Sequence, residues 1–163
     1  MRGVDFRKKI LTAATLPAWR EELRRQSRRL VATNGCFDLL HLGHVSYLEQ
    51  ARNLGEALLV GITNDAGVRQ LNGPNRPVNN ENDRAAVLAA LESVDGVFVF
   101  PELDACRLLE TVRPDIYTKG GDYTLDTLVQ VERRLLEKLG VKIVILPEVA
   151  GKSTTATLGR MKC

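Results

Sequence analysis

Long apolar runs, paired cysteines and aromatic residues are scarce in this chain of 163 residues. No apolar stretch approaches the ~18 residues of a membrane-spanning helix, so no membrane partner is expected. The N-terminal MRGVDFRKKILTAAT lacks the apolar core of roughly 7–15 residues that marks a secretion signal. The three cysteines, Cys36, Cys106 and Cys163, are odd in number and scattered, which suits reduced thiols in a cytoplasm. A nucleic-acid surface would interleave basic and aromatic residues. Here aromatics are 5 % of the chain and Trp19 stands alone in the basic helix, so no nucleic-acid partner is expected.

Charge is unevenly spread. The net +3 resolves into nine Lys/Arg against three Asp/Glu in residues 1–30, and fourteen against seventeen in the remainder. The basic excess belongs to an N-terminal lead-in, residues 1–29. Its helix, 16–29, carries Pro17 near its first turn and a narrow apolar stripe of Leu16, Trp19, Leu23 and Leu30. Its arginines read as a solvated face. The segment is expected on the outside of a sheet or at a homodimer contact, and residues 1–15 are expected to be peripheral.

From residue 30 onward strands and helices alternate. Buried-type strands are expected at 30–32, 57–63, 97–100, 115–118 and 141–146. Helices are expected at 45–54, 65–71, 81–94, 104–112, 127–139 and from 153. The pattern predicts one α/β domain over 1–163, with a Rossmann-like, doubly wound, five-stranded parallel sheet and helices on both faces. Residues 72–80 are dense in Asn, Gly and Pro, which suggests a functional or mobile loop.

The stretch Leu30–His44, LVATNGCFDLLHLGH, carries the strongest chemical signal. A strand ends at Asn34-Gly35, and His41-x-Gly43-His44 follows where a helix begins. In an open parallel sheet, ligands bind outside the carboxyl end of a strand. A helix N-terminus adds free N–H groups and about half a positive charge, which suits phosphate. Two histidines fixed in advance can donate to phosphoryl oxygens as charge builds on them, each such donor being worth roughly 3–4 kcal/mol. Gly43 between them is expected to leave room for phosphate at the backbone. The plainer alternatives are helix-capping or space-filling histidines, or a metal site of Cys36, His41 and His44, which lacks a recognisable fourth ligand.

Other segments add candidates. Lys119-Gly120-Gly121-Asp122 follows the fourth strand, where Lys119 can meet phosphate and Asp122 can accept hydrogen bonds. Ser153, Thr154 and Thr155 open the last helix and can face a phosphate, a helix cap alone being the alternative. The preceding Gly151-Lys152 does not make a P-loop, because position 146 is Leu and the segment follows the last strand. Arg69, Arg76 and Arg84 flank the 72–80 loop as candidate clamps for a polyanion. Asp38 is a candidate to hold a histidine or accept a ribose or water contact. Cys36 is expected to pack beneath the loop.

TNGCFDLLHLGHVSYLEQAR resembles the HxGH signature of the cytidylyltransferase-like nucleotidyltransferases. Together with RPVNNENDR, LESVD, KGGDY and STTATL it resembles one branch of them, the adenylyltransferase domains of ADP-heptose synthesis, over roughly residues 9–162. The resemblance implies AMP transfer from Mg-ATP to D-glycero-β-D-manno-heptose 1-phosphate, giving ADP-heptose and pyrophosphate for lipopolysaccharide core synthesis. It implies Mg²⁺ carried by the triphosphate, no metal held by the protein alone, and a separate heptose kinase. It also implies that Thr33, Asn34, Gly35, Cys36, Phe37, Asp38, His41, Gly43 and His44 contact nucleotide and phosphates. Lys119, Gly121 and Asp122 would lie near nucleotide or sugar, and Ser153 and Thr154 would hold phosphate. One departure stands out. Asn72 occupies the place before Gly73 where the branch often has Lys, so either Arg69 or Arg76 is expected to serve instead or the substrate differs. Two alternatives stay open, a cytidylyltransferase acting on glycerol 3-phosphate or a related alcohol phosphate, and a non-catalytic nucleotide-binding subunit.

Overall fold

A computed structural model describes residues 5–121, 123–147 and 149–161. Its centre is one parallel sheet of six strands, β1 (Ile10–Leu11), β2 (Leu30–Gly35), β3 (Ala57–Thr63), β4 (Gly96–Phe100), β5 (Ile116–Gly120) and β6 (Lys142–Leu146). Their spatial order is β1-β4-β3-β2-β5-β6, with every pairing parallel. Among the described residues, six α-helices connect them, α1 (Leu16–Arg25), α2 (Leu42–Arg52), α3 (Asp65–Asn72), α4 (Glu81–Ala89), α5 (Cys106–Val112) and α6 (Gln130–Lys138), and α7 (Thr154–Met161) follows the last strand. The fold is the Rossmann-like, doubly wound class expected, with one strand more than the five predicted. The extra strand is too short for periodicity to reveal. Ile10 and Leu11 pair with Val97 and Phe98 at the free edge of β4.

Alternation along the strands feeds two apolar layers. Leu30, Ala32, Leu59 and Tyr117 join Leu16, Leu23, Leu109 and Leu136 from α1, α5 and α6 on one face. Val31, Leu58, Val60 and Ile62 join Leu48, Ala51, Ala85 and Leu88 from α2 and α4 on the other. All seven residues of β3 are buried, as a strand covered on both faces requires. Each fully buried Leu, Val or Ile contributes roughly 1.5–3 kcal/mol. Among the described residues no helix is long and apolar enough to cross a membrane.

The lead-in is not peripheral, because β1 belongs to the sheet and Leu11 is buried in the first layer. Nor is the arginine face of α1 wholly solvated. Arg20 is 4 % exposed, and its guanidinium donates to the Val112 carbonyl at 2.7 Å and the Arg113 carbonyl at 2.9 Å. It also reaches the Asp115 carboxylate at 3.2 Å, and that carboxylate in turn accepts from the Leu30 N–H that starts β2.

The order of the strands decides where a ligand can enter. From β2 the chain winds outward through β3 to β4, then crosses back to place β5 on the other side of β2. The connections leaving β2 and β5 therefore part above their carboxyl ends. That is the topological switch point of an open α/β sheet, where ligand crevices form.

Deleting residues 1–15 should lower the denaturation midpoint, and Leu11→Ala alone should cost about 2 kcal/mol or more through the cavity it leaves. Urea unfolding of the two variants beside the intact chain checks this, and an unchanged midpoint in both would restore the peripheral reading.

Candidate active site

A cleft of about 290 Å³ opens at that switch point. The end of β2 and the turn after it supply Thr33, Asn34, Gly35, Cys36 and Phe37. The start of α2 supplies His41, Gly43 and His44, and the end of β5 supplies Lys119, Gly120 and Gly121. The entry to α7 closes the cleft with Lys152, Ser153 and Thr154.

The histidines are set by the helix they begin. Helix α2 starts at Leu42, three residues earlier than its periodicity suggests, so His41 is the N-cap and His44 lies in the first turn. His41 makes no side-chain capping bond, which separates it from a plain helix cap. Its ring instead stacks on His44, with centroids 3.9 Å apart and planes 25° apart. A Cβ on Gly43 would lie 2.9 Å from two atoms of the His41 ring and 3.3 Å from the Lys152 Cβ. Gly43 is thus required by the imidazole folded over it, a reason different from the room for phosphate expected. Phe37 backs the pair at 5.2 Å from the His44 ring. It adopts a left-handed φ of 47°, a strain of roughly 1–3 kcal/mol that its buried ring offsets.

Burial, then the neighbouring His41, push the His44 imidazole down to about 4, against a smaller opposing effect of the Leu39 carbonyl. Burial and the positive charge of Lys152 also lower His41. Both rings are therefore neutral at physiological pH. Each has a buried Nδ1 with no hydrogen-bond partner among the described residues. Unpaired buried polar atoms are costly and call for explanation, and a ligand is one.

Lys119 crosses from β5 to β2. Its ammonium donates to the Asn34 carbonyl at 2.6 Å and lies 5.4 Å from the Tyr123 ring centroid. It is 9 % exposed, and burial lowers its pKa. Beneath it the Tyr117 hydroxyl lies 2.5 Å from Asn34 Oδ1 and 3.1 Å from the buried carboxylate of Glu132, which accepts the Ala105 N–H at 2.7 Å. The Tyr47 hydroxyl bridges Thr33 Oγ1 at 2.7 Å and Thr118 Oγ1 at 2.9 Å. A Cβ on Gly120 would meet the Tyr47 ring at 2.6 Å, so this glycine admits the tyrosine as well as a turn.

Several expected site residues stand elsewhere. Arg84 has a fully buried side chain, spent on the carbonyls of Asn79, Cys36 and Thr63 and on the Asp65 carboxylate. Such a guanidinium braces the turn after β2, with four of its five N–H donors engaged, and it does not line the cleft. Arg76 pairs with Asp38 at 2.6 Å. Asp38 is buried and accepts the N–H groups of Val78 and Asn79, so it holds no histidine and pins the 72–80 loop. Burial alone would raise its carboxyl, but those N–H donors and Arg76 together hold it below the usual value. Arg69 and Thr155 are exposed and do not line the cleft. Ser153 and Thr154 do line it, although the Ser153 hydroxyl also accepts the Ala156 N–H as a helix cap. Cys36 faces the cleft, with Asn72 Nδ2 at 3.5 Å from its sulfur, and burial raises its thiol. Asp122 and Cys163 lie outside the described residues. Among the described residues, no three His, Cys, Asp or Glu side chains are gathered as a metal ion would need.

The sequence reading missed Tyr47, Tyr123 and Lys152 as wall residues. Lys152 stands directly before the Ser-Thr-Thr run, whose hydroxyls carry the local helix-cap signal. Tyr47 carried no signal beyond helical spacing.

Fold and cleft together define a Rossmann-like domain with a phosphate-suited crevice between strands β2 and β5. Residues 32–160 match the cytidylyltransferase-like family, and the chain belongs to that family of nucleotidyltransferases. It is similar to the bifunctional protein HldE of Mesorhizobium japonicum, 49 % identical over 150 residues, covering 92 % of this chain and 29 % of that protein. It is also similar to the bifunctional protein HldE of Syntrophotalea carbinolica, 44 % identical over 159 residues, covering 98 % of this chain and 32 % of that protein. The chain thus spans about a third of the length of these relatives. Among solved structures, a lipopolysaccharide core biosynthesis protein from Thermoplasma volcanium is 31 % identical at a TM-score of 0.60, over 75 % of this chain and 97 % of that one. A pantoate–β-alanine ligase from Francisella tularensis, 17 % identical at a TM-score of 0.61 over 94 % of this chain and 76 % of that one, shares the fold alone.

The depressed His44 value has a sign that can be measured. The unfolded chain takes up that proton near 6.5 and the folded chain only near 4, so the contribution is complete above pH 6.5 and lost as pH falls towards 4. Its size is on the order of 3 kcal/mol. Melting curves across this window should fall less steeply for His44→Asn than for the unaltered chain. Arg84→Ala should cost about 3–5 kcal/mol, since it leaves Asp65 and three carbonyls without their donor. A chemical-denaturation midpoint within error of the unaltered chain would contradict that bracing role.

Proposed function

We propose that the chain transfers AMP from Mg-ATP to D-glycero-β-D-manno-heptose 1-phosphate, releasing pyrophosphate and forming ADP-heptose. The observation that carries this reading is the convergence, in one crevice at the switch point, of two neutral histidines, Lys119 and the entry to α7. The choice of adenine and of a heptose acceptor is supported by the combination of TNGCFDLLHLGH, RPVN, KGGDY and STT. It is further supported by the extended similarity to the HldE proteins and to a protein of lipopolysaccharide core biosynthesis.

A phosphate oxygen of the sugar attacks the α-phosphorus in line, and the bond to the β-bridging oxygen breaks as pyrophosphate leaves. No covalent intermediate with the protein is needed. The chain contributes position and fixed donors. His41 and His44 meet the phosphoryl oxygens where negative charge grows, and an anion beside them favours their protonated forms. Lys119 holds the Asn34 carbonyl and keeps the end of β2 in place beneath the nucleotide. The N–H groups at the start of α7 face the phosphates. Mg²⁺ enters with the nucleotide as part of the substrate and neutralises triphosphate charge. The acceptor must arrive already phosphorylated, so a sugar kinase activity must supply it, and use of ATP fits a cytoplasmic enzyme.

Pyrophosphate release should occur with ATP and heptose 1-phosphate in the presence of Mg²⁺, and not with CTP and glycerol 3-phosphate. Release with the second pair alone would overturn the substrate assignment, and ATP binding without release for any acceptor would favour a nucleotide-binding subunit. His44→Ala should lower turnover by roughly 10²–10³-fold with the fold intact.

A further inference from the structure

A cleft that takes a triphosphate needs free positive charge, yet most cations near this one are engaged. Arg84 is spent on carbonyls and Asp65, and Arg76 on Asp38. Arg69 stands outside the cleft, and Asn72 directs its amide to the Cys36 sulfur. Two ammonium groups remain in the lining, Lys119 and Lys152. Lys119 already donates to the Asn34 carbonyl at 2.6 Å. Among the described residues the Lys152 ammonium has no acceptor and no carboxylate partner. Its stem and the His41 ring pack against the same Gly43, at 3.3 Å and 2.9 Å from where a Cβ would stand. A flexible, half-buried point charge therefore sits beside the stacked histidines.

We propose that Lys152 is the cation that grips the phosphate chain of the nucleotide, forming with His41 a two-sided phosphate site over Gly43. A lysine suits this place because its three donors can follow oxygens that move as the bond to the α-phosphorus breaks. Among the described residues, the charged groups facing His41 are Lys152 and, when protonated, the stacked His44. In the free protein Lys152 helps to keep His41 neutral. An anion between the two relieves that repulsion, so binding of phosphate and protonation of His41 reinforce each other. Lys152 thereby takes the part that the sequence assigned to Arg69 or Arg76 once Asn72 stands before Gly73.

This inference rests on the nucleotidyl-transfer reading for the identity of the anion, but its test does not need turnover. The affinity for inorganic tripolyphosphate with Mg²⁺ is measured by calorimetry on the unaltered chain, Lys152→Met and Lys152→Arg. The imidazole of His41 is titrated by NMR in the same three proteins. Lys152→Met should weaken tripolyphosphate binding about ten- to hundredfold, the loss of one charge-assisted contact. Lys152→Arg should keep most of the affinity. The midpoint of His41 should rise in Lys152→Met, and should also rise in the unaltered chain when tripolyphosphate is added. Affinity within twofold of the unaltered chain in Lys152→Met would overturn the proposal, as would an unmoved His41 midpoint or no tripolyphosphate binding at all. Lys152-dependent binding without pyrophosphate release from any substrate pair would uphold this site while the transfer reading falls. Full turnover in Lys152→Met with an unchanged KM for ATP would do the reverse.

Discussion

A buried ammonium bridges β2 and β5 where their pairing ends. Lys119 reaches from the end of β5 to the Asn34 carbonyl at the end of β2, 2.6 Å away. Strand β2 has just run out of partners on that side, because its backbone pairing with β5 covers only Val31 and Ala32. An ionised lysine is costly to bury without compensation, and here the carbonyl, the Tyr123 ring and the field of Glu132 supply it. Below, Tyr117, Asn34 and Glu132 form a satisfied polar cluster that fixes the floor of the cleft. Opening the sheet at this seam is what makes a pocket, and the lysine keeps the opening from widening into a break.

Around that seam two kinds of electrostatic environment stand side by side. Asp38, Arg76 and Arg84 form a closed set in which every strong charge has a partner, and it holds the 72–80 loop and the turn after β2. The cleft itself is left incomplete. Two stacked imidazoles have unpaired Nδ1 atoms, and Lys152 stands beside them without a described partner. Incomplete polar satisfaction is unfavourable in the empty protein and becomes favourable when an anion arrives. The same arrangement keeps both histidines neutral until then, so their charge follows occupancy of the site.

The class of fold and most elements were legible in the sequence because the longer β-type runs are apolar and several helical runs, α1, α3 and α6 above all, are amphipathic. Strand β1 was not, since two residues have no period. Arg84 could not be told from a phosphate clamp, because a guanidinium that braces carbonyls and one that awaits an anion have the same sequence. Only the position of Asn79, Thr63 and Cys36 around it separates them. Lys152 gives no local signal, for the opposite reason. Its neighbours looked like a helix cap, and its importance comes from sharing Gly43 with a histidine more than a hundred residues away in the chain.

By itself the sequence determined the local chemistry of this protein. The chain's two histidines lie three residues apart at a strand-to-helix turn, a lysine ends a later strand, and hydroxyls open the last helix. These depend on contiguous residues and survive any arrangement of the strands. Tertiary structure decided which of these groups meet. The return of the chain across the sheet, which sets β5 beside β2, brings Lys119 and the entry to α7 to the histidines. The same packing closes Asp38 onto Arg76 and turns Arg84 inward. The physical reason is that charge acts through distance in space, and strand order, which no local pattern encodes, sets that distance.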